Sequence, residues 1–153
     1  MGYTLQVQNA PADEDTTRIE RGFTLGTARL CEAMVALGMA HPSPVPDFPD
    51  SDHLAAADFD GEQPVTDRAR DYLRALAALQ VDHGTHGANR RWGIPTHKVS
   101  SGDGWYVTAD ECNEALSAYE NARVVGAPHP DAFADDVVPF LRKAARFGGF
   151  RVH

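Results

Sequence analysis

Gly104-Trp105-Tyr106-Val107-Thr108-Ala109-Asp110-Glu111-Cys112 spells a strand, a turn and a helix start in nine residues. Trp105 and Val107 flank Tyr106 with the period-two spacing of a half-buried strand. Thr108 followed three residues later by Glu111 is a capping box: the hydroxyl accepts a free helix N–H and the carboxylate reaches back to the cap N–H. Val107 and Cys112 then stand at the two positions of a hydrophobic staple. Gly102-Asp103-Gly104 reads as the turn that leads into this strand. The stretch specifies architecture, and no comparable stretch specifies a catalytic centre.

Outward from that junction, two more segments alternate as strands: Tyr3, Leu5 and Val7 at the start, and Phe150 and Val152 at the end. The three are expected to share one small sheet. Residues 9–21 read as a polar loop. From Thr24 the spacing turns helical, with Ala28, Cys31, Met34, Val35 and Leu37 on one face and Gly38 as terminator. Pro42, Pro44, Pro46 and Pro49 exclude a regular helix and make a stiff connector. Leu54 to Phe59 is compatible with one helical turn. A second helix is expected from Val65 to Val81 with Ala69, Tyr72, Leu73, Leu76 and Leu79 in a stripe. The third begins at the capping box and aligns Cys112, Ala115, Leu116 and Tyr119. A fourth, Asp131 to Phe147, is interrupted by Pro139 and closed by Gly148-Gly149. The expectation is an α+β fold, about four helices on a small sheet of short strands, in a single domain spanning 1–153.

Composition bounds the function. A chain of 153 residues, 42% hydrophobic and 24% charged, is an ordinary globular sequence able to bury its own core. No run approaches the roughly 20 apolar residues that cross a bilayer, and the first residues lack a basic start followed by an apolar block. A cytoplasmic protein without membrane contact is expected. Cys31 and Cys112 both fall on apolar helix positions, which favours buried free thiols and excludes a cysteine-based metal site by number. The net charge of −8 opposes nucleic acid at long range and suits a basic partner or a small ligand.

The segment from His83 to Gly104 has no periodicity, and a loop of that length is usually functional. It gathers Arg90, Arg91, His97 and Lys98 in an acidic chain, beside Trp92 and the hydroxyls of Thr96, Ser100 and Ser101. Guanidiniums bind phosphate or carboxylate bidentately, and the helix start at Thr108 adds N–H groups, so this is a candidate site for an anion or a protein partner. Trp92 could stack on a flat ligand. A catalytic alternative makes His97 the general base, Lys98 an electrostatic clamp with Arg91, and Asp103 the orienting group. His83 and His86, three apart, could share a divalent ion, although no second paired motif completes the set. Otherwise no cofactor is implied, because no Gly-x-Gly-x-x-Gly, P-loop or His-Glu-x-x-His pattern occurs.

Residues 93–108, Gly-Ile-Pro-Thr-His-Lys-Val-Ser-Ser-Gly-Asp-Gly-Trp-Tyr-Val-Thr, and residues 140–153, Phe-Leu-Arg-Lys-Ala-Ala-Arg-Phe-Gly-Gly-Phe-Arg-Val-His, resemble a family of small proteins of actinobacteria and their phages. Asn commonly stands there in place of Gly102, and His often replaces Phe147. The family carries no assigned activity, so the resemblance implies a compact cytosolic fold and leaves the function to the residues themselves. Those residues favour an accessory or regulatory binding protein that presents segment 83–104 to a protein partner or a small anionic ligand. The alternatives are a small enzyme acting on a polar or anionic metabolite and a histidine-based metal-binding protein.

Overall fold

A computed structural model describes residues 3–11, 18–19, 26–84 and 90–153, and the architecture is α+β. Contacts divide the chain into two compact units, Met1–Val45 with His83–His153, and Pro46–Asp82. The boundary falls inside the proline run that the sequence marks as a stiff connector within one domain. The first unit carries β1 (Leu5–Val7), β2 (Arg18–Ile19), α1 (Thr27–Ala36) and β3 (Ala40–His41). Pro46–Asp82 carries β4 (Phe59–Asp60), β5 (Gln63–Pro64) and α2 (Asp67–Val81). The first unit resumes with β6 (Ile94–Pro95), α3 (His97–Ser100), β7 (Trp105–Val107), α4 (Ala109–Val124), α5 (Val138–Arg146) and β8 (Phe150–Val152).

The sheet runs β2-β1-β8-β7, antiparallel throughout. Its register places Leu5, Val152 and Trp105 in one row and Val7, Phe150 and Val107 in another. All six are buried, while Gln6, Arg151 and Tyr106 alternate to the other face. On that face the Arg151 guanidinium lies 5.4 Å from the Tyr106 ring centre and donates to the Gly104 carbonyl. The three strands therefore pair as their alternation implies. β2 is an addition, because residues 9–21 read as loop.

α4 and α5 cover the buried face. Cys112, Ala115 and Tyr119 from α4 and Phe140, Leu141 and Ala144 from α5 are all in the core, and the Phe140 and Phe150 rings meet edge to face at 5.0 Å. Ahead of α5, Phe133–Val137 is a π-helical turn, and Pro139 sits in the first turn of α5. Proline lacks an N–H and crowds the carbonyl four residues back; the wider turn absorbs both, so the helix continues through the expected break. On α1 the buried residues are Leu30 and Met34, while Ala28 is exposed. The stripe read from the sequence is thus rotated by part of a turn.

After α5 the chain reverses through Gly148 and Gly149, with φ of 90° and 100°. Gly149 donates to the Ala144 carbonyl, and a Cβ there would strike the Val107 carbonyl oxygen. Both the left-handed backbone and the absence of a side chain are needed to bring β8 against β7. Gly149→Ala is expected to cost about 3 kcal/mol or more, from strained φ together with a backbone collision. Chemical denaturation measures it, and a loss under about 1 kcal/mol would contradict this reading.

In the second unit, Asp58 closes a short 3-10 turn, Ala56–Asp58, by accepting from the Ala55 N–H, the Thr66 hydroxyl and the Arg68 guanidinium at 2.7 Å each. Thr66 also caps α2 by accepting from the Ala69 N–H. Of the α2 stripe only Ala69 is buried, and Tyr72, Leu73, Leu76 and Leu79 are half-buried. The Arg68 bond, then the Ala55 and Thr66 bonds, hold the Asp58 carboxyl well below the usual carboxylate range. Between that lowered value and the unfolded value near 4, the unfolded chain binds more protons, so this contribution is complete above about pH 4 and is lost on acidification. Asp58→Asn is expected to flatten the acid limb of α2 amide protection measured by hydrogen exchange, and an unchanged limb would refute the assignment.

Candidate functional site

Of the segment read as an aperiodic loop, the described residues 83–84 and 90–104 are built into the first unit by repeated hydrogen bonds. Gly93, with φ of 94°, lets the backbone lie against β3; a Cβ there would stand 2.5 Å from the Met39 carbonyl oxygen. β6 then pairs in parallel with β3, Ala40 opposite Ile94 and His41 opposite Pro95. Thr96 leads into α3, whose first residue donates its N–H to the Ser43 hydroxyl at 3.1 Å. His97, Lys98 and Val99 are buried in consequence.

Glu111 organises the interior. One carboxylate oxygen accepts from the Thr108 N–H at 2.9 Å, as the capping box requires, and from the Lys98 ammonium at 2.8 Å. The other oxygen meets His83 Nδ1 at 2.7 Å. Lys98 is fully buried and also donates to the Tyr106 carbonyl. His83 Nε2 lies 2.7 Å from the Arg91 carbonyl, so both ring nitrogens face oxygen atoms. The His41 ring stands 5.0 Å away, its Nδ1 bonded to the Trp92 carbonyl. Burial lowers the His41 pKa, with the Trp92 bond opposing and the neighbouring His83 adding to the fall. The neutral ring donates from Nδ1, and Nε2 is a buried acceptor without a hydrogen bond among the described residues.

His97 and Lys98, adjacent in sequence, have separate surroundings. His97 Nδ1 bonds the Ser43 hydroxyl at 2.8 Å, and its ring meets the edge of Trp105 at 4.8 Å. Ser101 accepts from the Trp105 indole, the Ser100 hydroxyl bonds the His97 carbonyl, and Asp103 is exposed while His97 is interior. The proposed base and clamp, His97 and Lys98, are thus interior, and the proposed orienting residue, Asp103, is at the surface. His86 lies outside the described residues, and among those described no set of three or more His, Cys, Asp or Glu side chains is arranged to hold a metal ion. The thiols are free: burial raises the Cys31 pKa, and burial followed by the Glu111 charge raises that of Cys112 far more, the reverse of a reactive helix-start thiolate.

Arg90, Arg91 and Trp92 reach the surface. Arg90 pairs with Glu114 at 2.6 Å, and the second Glu114 oxygen accepts from the Gly93 N–H at 2.8 Å. Arg91 donates to the Pro42 carbonyl at 3.4 Å. The Trp92 indole N–H donates to the Glu114 carbonyl, yet the residue is 59% exposed. Beside it lies a groove of about 440 Å³ lined by Arg90, Trp92, Asp110, Asn113, Glu114 and Ser117. Two of the four cations expected to meet an anion, Arg90 and Lys98, are thus held by carboxylates of α4. The sequence signals Trp92 and the basic run but conceals Glu111, Glu114 and His41 as their partners, which lie 13 to 51 residues away. No helix among the described residues is long and apolar enough to cross a membrane. No family model, curated protein or solved structure matches this chain.

Glu111→Ala is expected to cost about 3 to 5 kcal/mol, by leaving Lys98 buried without its counter-ion, and to lower Tm by about 10 °C. Pairing Lys98→Met with Glu111→Gln should recover more than half of that loss, because the uncompensated charge is gone. Thermal melts followed by circular dichroism decide it, and additive losses in the double variant would overturn the reading.

Proposed function

We propose that the chain is a non-catalytic binding module, an accessory or regulatory factor, that docks a protein partner on Trp92 and the groove beside it. The observation that carries this reading is an exposed tryptophan on a rigid mount. Its indole N–H is bonded to α4, the following N–H is bonded to the Glu114 carboxylate, and its carbonyl is bonded to His41. Tryptophan is enriched among the residues that dominate protein interfaces, and pre-ordering reduces the entropy lost on association. Burial of His97 and Lys98 favours binding over catalysis, since a general base must come within hydrogen-bond reach of a substrate proton. The Arg90–Glu114 pair favours a protein partner over a small anion, which would have to displace a carboxylate.

Co-purification of the tagged chain from the cells that express it tests the proposal. Trp92→Ala is expected to weaken recovery of any partner by about thirtyfold or more, the effect of losing an interface hot spot. Val124→Ala, at an exposed position near the other end of α4, should leave recovery unchanged. Equal recovery with both variants would sink the proposal.

A further inference from the structure

The groove next to Trp92 has a charge as well as a shape. Arg90 and Glu114, 2.6 Å apart, cancel within their own pair. That leaves Asp110, exposed on α4 and in no ion pair among the described residues. Asn113 and Ser117 follow it along the same helix face at i+3 and i+7, both exposed, and offer uncharged donors and acceptors. Asp110 also offsets the partial positive charge of the helix start, a structural role that leaves its outer oxygens open to water. Above this face stands the tryptophan ring, the aromatic surface that attracts cations most strongly.

Building on the docking role proposed for Trp92, we infer that the partner inserts a basic side chain, an arginine, into this groove. Its planar guanidinium stacks on the indole while its N–H fork meets the Asp110 carboxylate, a match in both geometry and charge. Asn113 and Ser117 bind the flanking peptide groups. The net charge of −8 raises the encounter rate with a basic segment and repels acidic ones. An anionic partner would place its charge against Asp110 and would have to compete with Glu114 for Arg90.

The probe is a soluble peptide, acetyl-(Gly-Arg)4-amide, compared with its citrulline and glutamate counterparts, with the Trp92 indole N–H followed by NMR at moderate ionic strength. Citrulline keeps the plane and loses the charge. The arginine peptide is expected to shift the Trp92 signal saturably, and the citrulline peptide to bind about tenfold more weakly. Trp92→Ala and Asp110→Asn should each reduce arginine-peptide affinity by about tenfold, whereas Glu32→Gln, on α1, should not. Equal binding of arginine and citrulline peptides, equal effects of Glu32→Gln and Asp110→Asn, preference for glutamate, or no saturable shift would each overturn the inference. The docking role at Trp92 fails separately, through partner recovery that is indifferent to Trp92→Ala.

Discussion

A single carboxylate, Glu111, joins the capping of α4 to the burial of Lys98 and the anchoring of His83. A charge in a protein interior is tolerated only when paired and hydrogen-bonded, and Lys98 meets that condition because α4 begins where it does. The helix start in turn depends on β7, which delivers Thr108 to its capping position directly after Val107. Strand, cap and buried ion pair are consequences of one placement, so His83 and residues 90–100 are held by charge as well as by the β3–β6 pairing.

The same placement separates the polar side chains into two populations. His41, His83, His97 and Lys98 point inward and spend their hydrogen-bonding capacity on carbonyls, Ser43 and Glu111. Trp92 and the exposed turns of α4 face outward around a groove of about 440 Å³. The imidazoles and the ammonium named above are thus engaged in hydrogen bonds of the interior, whereas the Trp92 indole stands at the surface. On His41 an inward ring nitrogen has no hydrogen bond among the described residues, and burial lowers the basicity of that ring.

Elements defined by neighbours in sequence were legible from the residues alone. Strand alternation at Leu5–Val7, Trp105–Val107 and Phe150–Val152, the Thr108–Glu111 box and the Gly148-Gly149 reversal all act within a few residues, and each forms as its pattern implies. Pro139 was legible as a disturbance but not in its outcome, because whether a helix breaks or widens to a π turn depends on the packing that holds both halves in line. The α1 face differs from its pattern for a related reason: Leu30, not Ala28, meets the core, and a ten-residue amphipathic pattern tolerates such a rotation.

The candidate site divides along the same line. Sequence by itself indicated the α+β class and the capping junction, favoured free thiols, and showed the concentration of Arg90, Arg91, Trp92, His97 and Lys98 in one segment. It could not establish which of those side chains face water, because the deciding partners are remote: Ser43 for His97, Glu111 for Lys98, Glu114 for Arg90. Only tertiary structure brings a carboxylate within 3 Å of a lysine thirteen residues earlier, and in a low-dielectric interior that meeting, not residue type, determines whether a charge is available to a ligand.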